Sequence, residues 1–175
     1  DEAYIRLVRE ACSQYREEGL PLYATQDWHP ANHASFAANN PGAEVFTSID
    51  LKGRDQMMWP VHCVQYTSGA ELLLPEDWFR KVVRKGSDVR FDSYSGFADD
   101  GGARTGLEEV LRKHGVGELL IFGLATDYCV RFTVMDALTA GFGVRLRTDL
   151  CREVDPDTGR KALQDMADAD IQLLV

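Results

Sequence analysis

Asp27 and His29 stand two residues apart in the stretch Q-D-W-H-P. On extended chain that spacing aims both side chains the same way. A carboxylate beside an imidazole suits a divalent ion such as zinc, manganese or iron. Two ligands are too few, and two histidines downstream offer a third: His33, and His62 in the tight context W-P-V-H-C. Chemistry alone leaves the choice between them open. His114, in the last turn of a helical segment, reads as a helix-end cation or a surface residue.

Cys129 supplies a second kind of chemistry. It follows the most apolar run of the chain and opens a helical pattern. Unpaired N–H groups and the helix dipole at such a junction lower a thiol's pKa and can hold an oxyanion, which are a nucleophile's requirements. Lys85 follows the run R-K-V-V-R, and a cation brought near the thiol would lower its pKa further. Cys12, Cys63 and Cys151 are scattered and no C-x-x-C pair occurs, so neither a disulfide framework nor a zinc ribbon is indicated. Cys12 and Cys151 read as small buried hydrophobes, and Cys63, beside His62, as packing beneath the site.

Positioning these groups requires strand ends. Tyr4, Leu7, Val8, Ala11, Cys12 and Tyr15 have the spacing of an amphipathic helix that Gly19 stops. L-P-L-Y-A-T (20–25) suits a buried strand, and residues 30–69 read as a long loop excursion rich in Asn, Pro, Gly and Ser. Loops of that length inside a compact domain usually build a site. R-K-V-V-R (80–84) reads as a strand, and Thr105 with Glu108 as a capping box for a helix ending at Gly115. A strand at 118–124, a helix from Val130 towards Gly141, a strand near 144–147, a helix near 159–167 and a last strand I-Q-L-L-V complete the alternation. The pattern is that of an α/β fold with a mostly parallel sheet covered on both faces. Ligands of such sheets bind beyond the carboxyl ends of the strands, where Asp27, His29, Lys85 and Cys129 all fall.

With 175 residues, 45% apolar or aromatic and 27% charged, one globular domain over 1–175 is expected. A formal net charge of −9 argues against a nucleic-acid surface. No apolar run approaches a membrane span, and the opening D-E-A-Y-I-R is too charged for a secretory signal, so a cytoplasmic protein handling a small molecule is expected. The chain is compatible with a homo-oligomer.

Four blocks, Q-D-W-H-P-A-N-H-A-S-F, W-P-V-H-C, R-K-G-S-D-V-R-F-D-S-Y-S-G-F and G-L-A-T-D-Y-C-V, together resemble the nicotinamidase branch of the isochorismatase-like hydrolases. The resemblance runs in order from about residue 20 to the end. It implies a three-layer, Rossmann-like α/β/α fold and deamidation of nicotinamide to nicotinic acid and ammonia, with pyrazinamide as an alternative substrate. By the same resemblance Cys129 is the nucleophile, Lys85 the cationic member of an Asp-Lys-Cys triad, and Asp27, His29 and His62 the ligands of a divalent metal, zinc first, with iron or manganese as alternatives. His33 matches a ligand of only some relatives. A cis peptide between Leu124 and Ala125 is implied, aiming the N–H groups of Ala125 and Cys129 at an oxyanion. Trp59 and Tyr94 look like the walls that hold the pyridine ring.

The family's catalytic Asp lies in a D-x-Q type segment on a strand ahead of the first helix, which has no counterpart here. Asp1, at the chain end, is not taken for it, and a sequence lacking one strand is the expectation. Two other readings stand beside the nicotinamidase one: a cysteine amidohydrolase acting on another small amide, which would not need the D-x-H motif, and a catalytically inactive binding module.

Overall fold

The computed structural model describes residues 2–175, so Asp1 lies outside the described residues. Helix α1 (Glu2–Glu17) buries Cys12 and Tyr15 on the stripe read from the sequence, and Gly19 turns the chain at φ +78°. Strand β1 (Leu22–Asp27) follows, and the excursion after it contains a small antiparallel ribbon, β2 (Ser48–Asp50) with β3 (Asp55–Met57). Its three-residue strands carry too little alternation to read as strands in the sequence. Strand β4 (Phe79–Lys85) then pairs in parallel with β1.

The carboxyl-terminal half alternates regularly: α2 (Leu107–Lys113), β5 (Glu118–Leu124), α3 (Arg131–Thr139), β6 (Gly143–Arg152), α4 (Pro156–Asp168) and β7 (Gln172–Leu174). Strands β5, β6 and β7 are parallel, in that order. The parallel strands therefore form two sheets, β1-β4 and β5-β6-β7, where the sequence suggested one.

Both sheets share a core. Val83 of β4, Leu107 and Leu111 of α2, Val134 and Ala137 of α3, Val144 and Leu146 of β6 and Met166 of α4 form one buried cluster. On β6 the side chains alternate. Val144 and Leu146 enter this cluster, while Arg147 donates to the hydroxyl of Tyr15 on α1 (2.6 Å). Helix α1 therefore covers the opposite face, giving helix, sheet and helix layers. No helix among the described residues is long and apolar enough to cross a membrane.

Two helix starts differ from the sequence reading. Gly106, at φ +88°, separates Thr105 from α2. The Thr105 hydroxyl donates to the Gly96 carbonyl, and Glu108 pairs with Arg104 and Arg112, so the capping box does not form. Helix α4 begins earlier than expected, at Pro156, because the Asp155 carboxylate accepts the N–H groups of Asp157 and Thr158 (2.8 and 3.1 Å).

Leu146 is 0% exposed at the centre of the shared core. Leu146→Ala is expected to lower the free energy of unfolding by about 3 kcal/mol. Urea unfolding followed by circular dichroism measures it, and a change under about 1 kcal/mol would mean that the core is not shared in this way.

Candidate active site

The parallel register of β1 and β4 sets Asp27 directly beside Lys85 at the carboxyl ends of both strands. Lys85 is 4% exposed, and its Nζ lies 2.6 Å from Asp27 Oδ1, an ion pair without the alignment of a directional hydrogen bond. Nζ also donates to the Ser93 carbonyl (2.6 Å) and to the Sγ of Cys129 (3.2 Å). A buried ammonium is costly on its own, but the charges of Cys129 and Asp27 outweigh the burial and hold Lys85 protonated, above the usual lysine range. Burial pushes Asp27 up, yet Lys85 draws it net below the usual carboxylate range.

Cys129 sits on a single π-helical turn, Thr126–Val130, which joins β5 to α3. Such turns re-aim one side chain off the regular helix and are frequent at functional sites. The Leu124–Ala125 peptide ahead of it is cis, as the resemblance implied. The thiol's pKa runs against the sequence expectation. Burial raises it, and Lys85 opposes that rise without overcoming it. Exposure could not be read from a strand-helix junction in the sequence.

Asp27, His29 and His62 each offer a ligand atom, all within 4.8 Å of one another. His29 Nδ1 is bonded to the Gly86 carbonyl (2.9 Å) and His62 Nδ1 to that of Pro60 (2.8 Å). A carbonyl only accepts, so Nδ1 carries the proton in each ring and Nε2 keeps its lone pair. Burial holds His29 below the usual imidazole range despite the adjacent Asp27, which keeps it neutral. Two imidazoles with their Nδ1 atoms tied to carbonyls, beside a carboxylate, are a donor set that fits a divalent metal. Gly86, at φ +68°, permits this approach: a Cβ on it would overlap the His29 ring.

His33 also comes close, forming a second group with His29 and Asp92. Both its nitrogens are engaged, however. Nδ1 accepts from the N–H of Ser35 and faces its hydroxyl (3.2 and 2.8 Å), and Nε2 donates to the Phe91 carbonyl (3.1 Å). His114 lies elsewhere, at the end of α2, 2.7 Å from the Tyr23 hydroxyl.

A cleft of about 300 Å³ opens between these groups, at the small end of ligand sites. Trp59 and Tyr94 line it, as the resemblance implied, and Tyr128 stands edge-on to Trp59 at 4.7 Å. Burial raises the Tyr94 phenol far above its ordinary range, so it stays protonated. Asp92 escaped the sequence reading although its segment was singled out. Its carboxylate is buried behind the wall and accepts from Trp59 Nε1 (3.1 Å) and Gln56 Nε2 (3.3 Å), fixing the indole. Phe46, Leu124 and Val154 complete the apolar lining, and nothing local in the sequence marks them. The arrangement offers a thiol, a cation, an uncharged aromatic slot and a set of metal donors within one cavity.

The Isochorismatase domain family matches residues 1–173. The chain is 45% identical over 159 residues to the nicotinamidase of Escherichia coli (strain K12), covering 88% of this chain and 74% of that protein. Its structure is similar to that of the Acinetobacter baumanii nicotinamidase pyrazinamidease (TM-score 0.90, 33% identity, 99% of this chain and 84% of that one). It is also similar to the pyrazinamidase of Pyrococcus horikoshii in complex with zinc (TM-score 0.80, 36% identity, 99% and 85%). A match of the family over nearly the whole length, carried by the fold as well as the sequence, makes this chain a member of the isochorismatase domain family.

Proposed function

We propose that this chain is a nicotinamidase: it hydrolyses nicotinamide to nicotinic acid and ammonia, and accepts pyrazinamide, through a thioester at Cys129. The observation that carries the reading is the placement of Cys129 Sγ, 3.2 Å from Lys85 Nζ, in a small aromatic-walled cleft shared with the donors Asp27, His29 and His62. The kinship with nicotinamidases supports the choice of amide.

Trp59, Tyr94 and Tyr128, in contact with one another, form one aromatic wall against which a flat, uncharged ring can lie. Asp27, His29 and His62 would hold a divalent metal, zinc first with iron or manganese as alternatives, which would supply a Lewis acid beside the ring. Lys85 stabilises the Cys129 thiolate, whose Sγ attacks the carboxamide carbon. The N–H groups of Ala125 and Cys129 receive the oxyanion. The proton lost by the Cys129 thiol passes to the amide nitrogen, so collapse breaks the C–N bond and releases ammonia; water then hydrolyses the thioester to nicotinic acid and returns the thiol of Cys129. His33 serves as a structural tie rather than a ligand in this scheme. The cytoplasm is the proposed setting.

Ammonia release from nicotinamide, assayed with and without a chelator, tests the reading directly. Activity that disappears in Cys129→Ala and in the chelated protein, and returns with zinc, is expected. Full activity without metal would favour a metal-independent amidase, and none with metal a binding module.

The Gly86→Ala protein should fold but bind zinc roughly 10- to 100-fold more weakly, because the added Cβ displaces His29. Metal content after dialysis against a chelator series reports this, and an unchanged affinity would remove His29 from the ligand set.

Burial pushes Cys12 and Cys151 up to about 11; no cation acts on Cys12, and Arg152 only partly offsets the burial of Cys151. Cys129, which lines the cleft with Lys85 Nζ 3.2 Å from its Sγ, should be the thiol that iodoacetamide modifies first, at a rate that climbs with pH through and above the ordinary thiol range. Lys85→Met should move that curve to higher pH, since it removes the charge opposing burial. Mass spectrometry of timed samples decides, and equal rates at Cys129 and Cys12 would contradict the assignment of the nucleophile.

A further inference from the structure

Two residues before Cys129, on the same π-helical turn, Asp127 is 7% exposed and does not reach into the cleft. Its carboxylate is nonetheless fully engaged. Oδ1 accepts the N–H of Val154 (3.0 Å), and Oδ2 accepts the N–H of Asp155 (3.2 Å) and the hydroxyl of Thr158 (2.6 Å). All three donors belong to the link between β6 and α4 or to the first turn of α4. Hydrogen bonds to an ionised carboxylate are roughly twice as strong as neutral ones, and the amino-terminal end of α4 adds a favourable dipole.

This contact joins two walls of the cleft that the sequence places far apart. On one side are Ala125, Tyr128 and Cys129, and on the other is Val154. We propose that Asp127 is a positioning residue that sets the distance between the Cys129 turn and the Val154 wall, so that substrate is held at the nucleophile. The inference rests on the amidase reading above. An acceptor-only group is required. The amide of Asn would turn an NH₂ towards at least one of the three donors and break the clamp, although it has nearly the same shape.

The test compares Asp127→Asn, Thr158→Val, their double variant and Asp155→Ala. The last removes the side-chain cap of α4 but leaves all three donors to Asp127 in place. Displacement of reacting groups by about 1 Å lowers turnover by roughly 100-fold, which is the loss in kcat expected for Asp127→Asn, with a smaller change in KM. Thr158→Val should lose less, and the double variant no more than Asp127→Asn alone, because both act through one contact. Asp155→Ala should lower Tm while keeping kcat within about threefold of the parent.

Alkylation of Cys129 by iodoacetamide, measured on the same proteins, should slow in Asp127→Asn and not in Asp155→Ala. Turnover and alkylation within twofold of the parent, or an equal loss in Asp155→Ala, would overturn the proposal. If Asp127→Asn fails to fold, Thr158→Val decides by the same readouts. A parent protein inactive on nicotinamide would defeat the functional reading alone, and the alkylation comparison would still judge the role of Asp127.

Discussion

A single buried ammonium organises this molecule. Lys85 is almost withdrawn from water, and a charge of that kind persists only where close partners replace the lost hydration. Three parts of the chain supply them. The register of β1 on β4 provides Asp27, the loop after β4 provides the Ser93 carbonyl, and the π-helical turn provides Cys129. Elements distant in sequence are thus tied to one point at the carboxyl ends of the strands. The same charge is what opposes the effect of burial on the Cys129 thiol, so the electrostatic requirement of the fold and that of the proposed nucleophile coincide.

The second constraint is the long excursion between β1 and β4. It has little regular structure, yet its backbone groups are satisfied by side chains in place of ladders. Asn39 Nδ2 donates to the carbonyls of Ala31 and His33, and Asn40 Nδ2 to those of Ala34 and Phe36. His33 ties this loop to the Phe91 carbonyl, and Phe36 lies fully buried against the rings of His29 and His62. The polar richness that made the segment look irregular is what ties it together. A loop tied in this way carries Trp59 and His62 to defined positions, as a site of preorganised donors requires.

Much of this was legible in one dimension. The periodicity of Tyr4 to Tyr15, the apolar runs before Asp27, Lys85 and Gly123, and the glycine stops report local physics, and local physics is written in neighbouring residues. The types and spacing of Asp27, His29, Lys85 and Cys129 likewise suggested metal ligation and nucleophilic chemistry, while only the family resemblance preferred His62 to His33 as the third ligand. What failed locally failed for a tertiary reason: the Thr105 hydroxyl donates to the Gly96 carbonyl and keeps only the N–H of Leu107, while Glu108 turns to Arg104 and Arg112, so the reciprocal capping box is lost to contacts that sequence spacing does not contain.

The sequence by itself determined which elements form and which side chains can do chemistry, because both follow from residue type and short-range spacing. Only the tertiary structure decided how those side chains act on one another. It turned the Nδ1 atoms of His29 and His62 to carbonyls, engaged both nitrogens of His33, and placed Asp92 behind Trp59 and Asp127 behind Cys129. It also raised the thiol's pKa where a helix start alone suggested lowering it. Burial, hydrogen-bond partners and charge pairing are properties of neighbours in space, and most of these neighbours lie tens of residues apart along the chain.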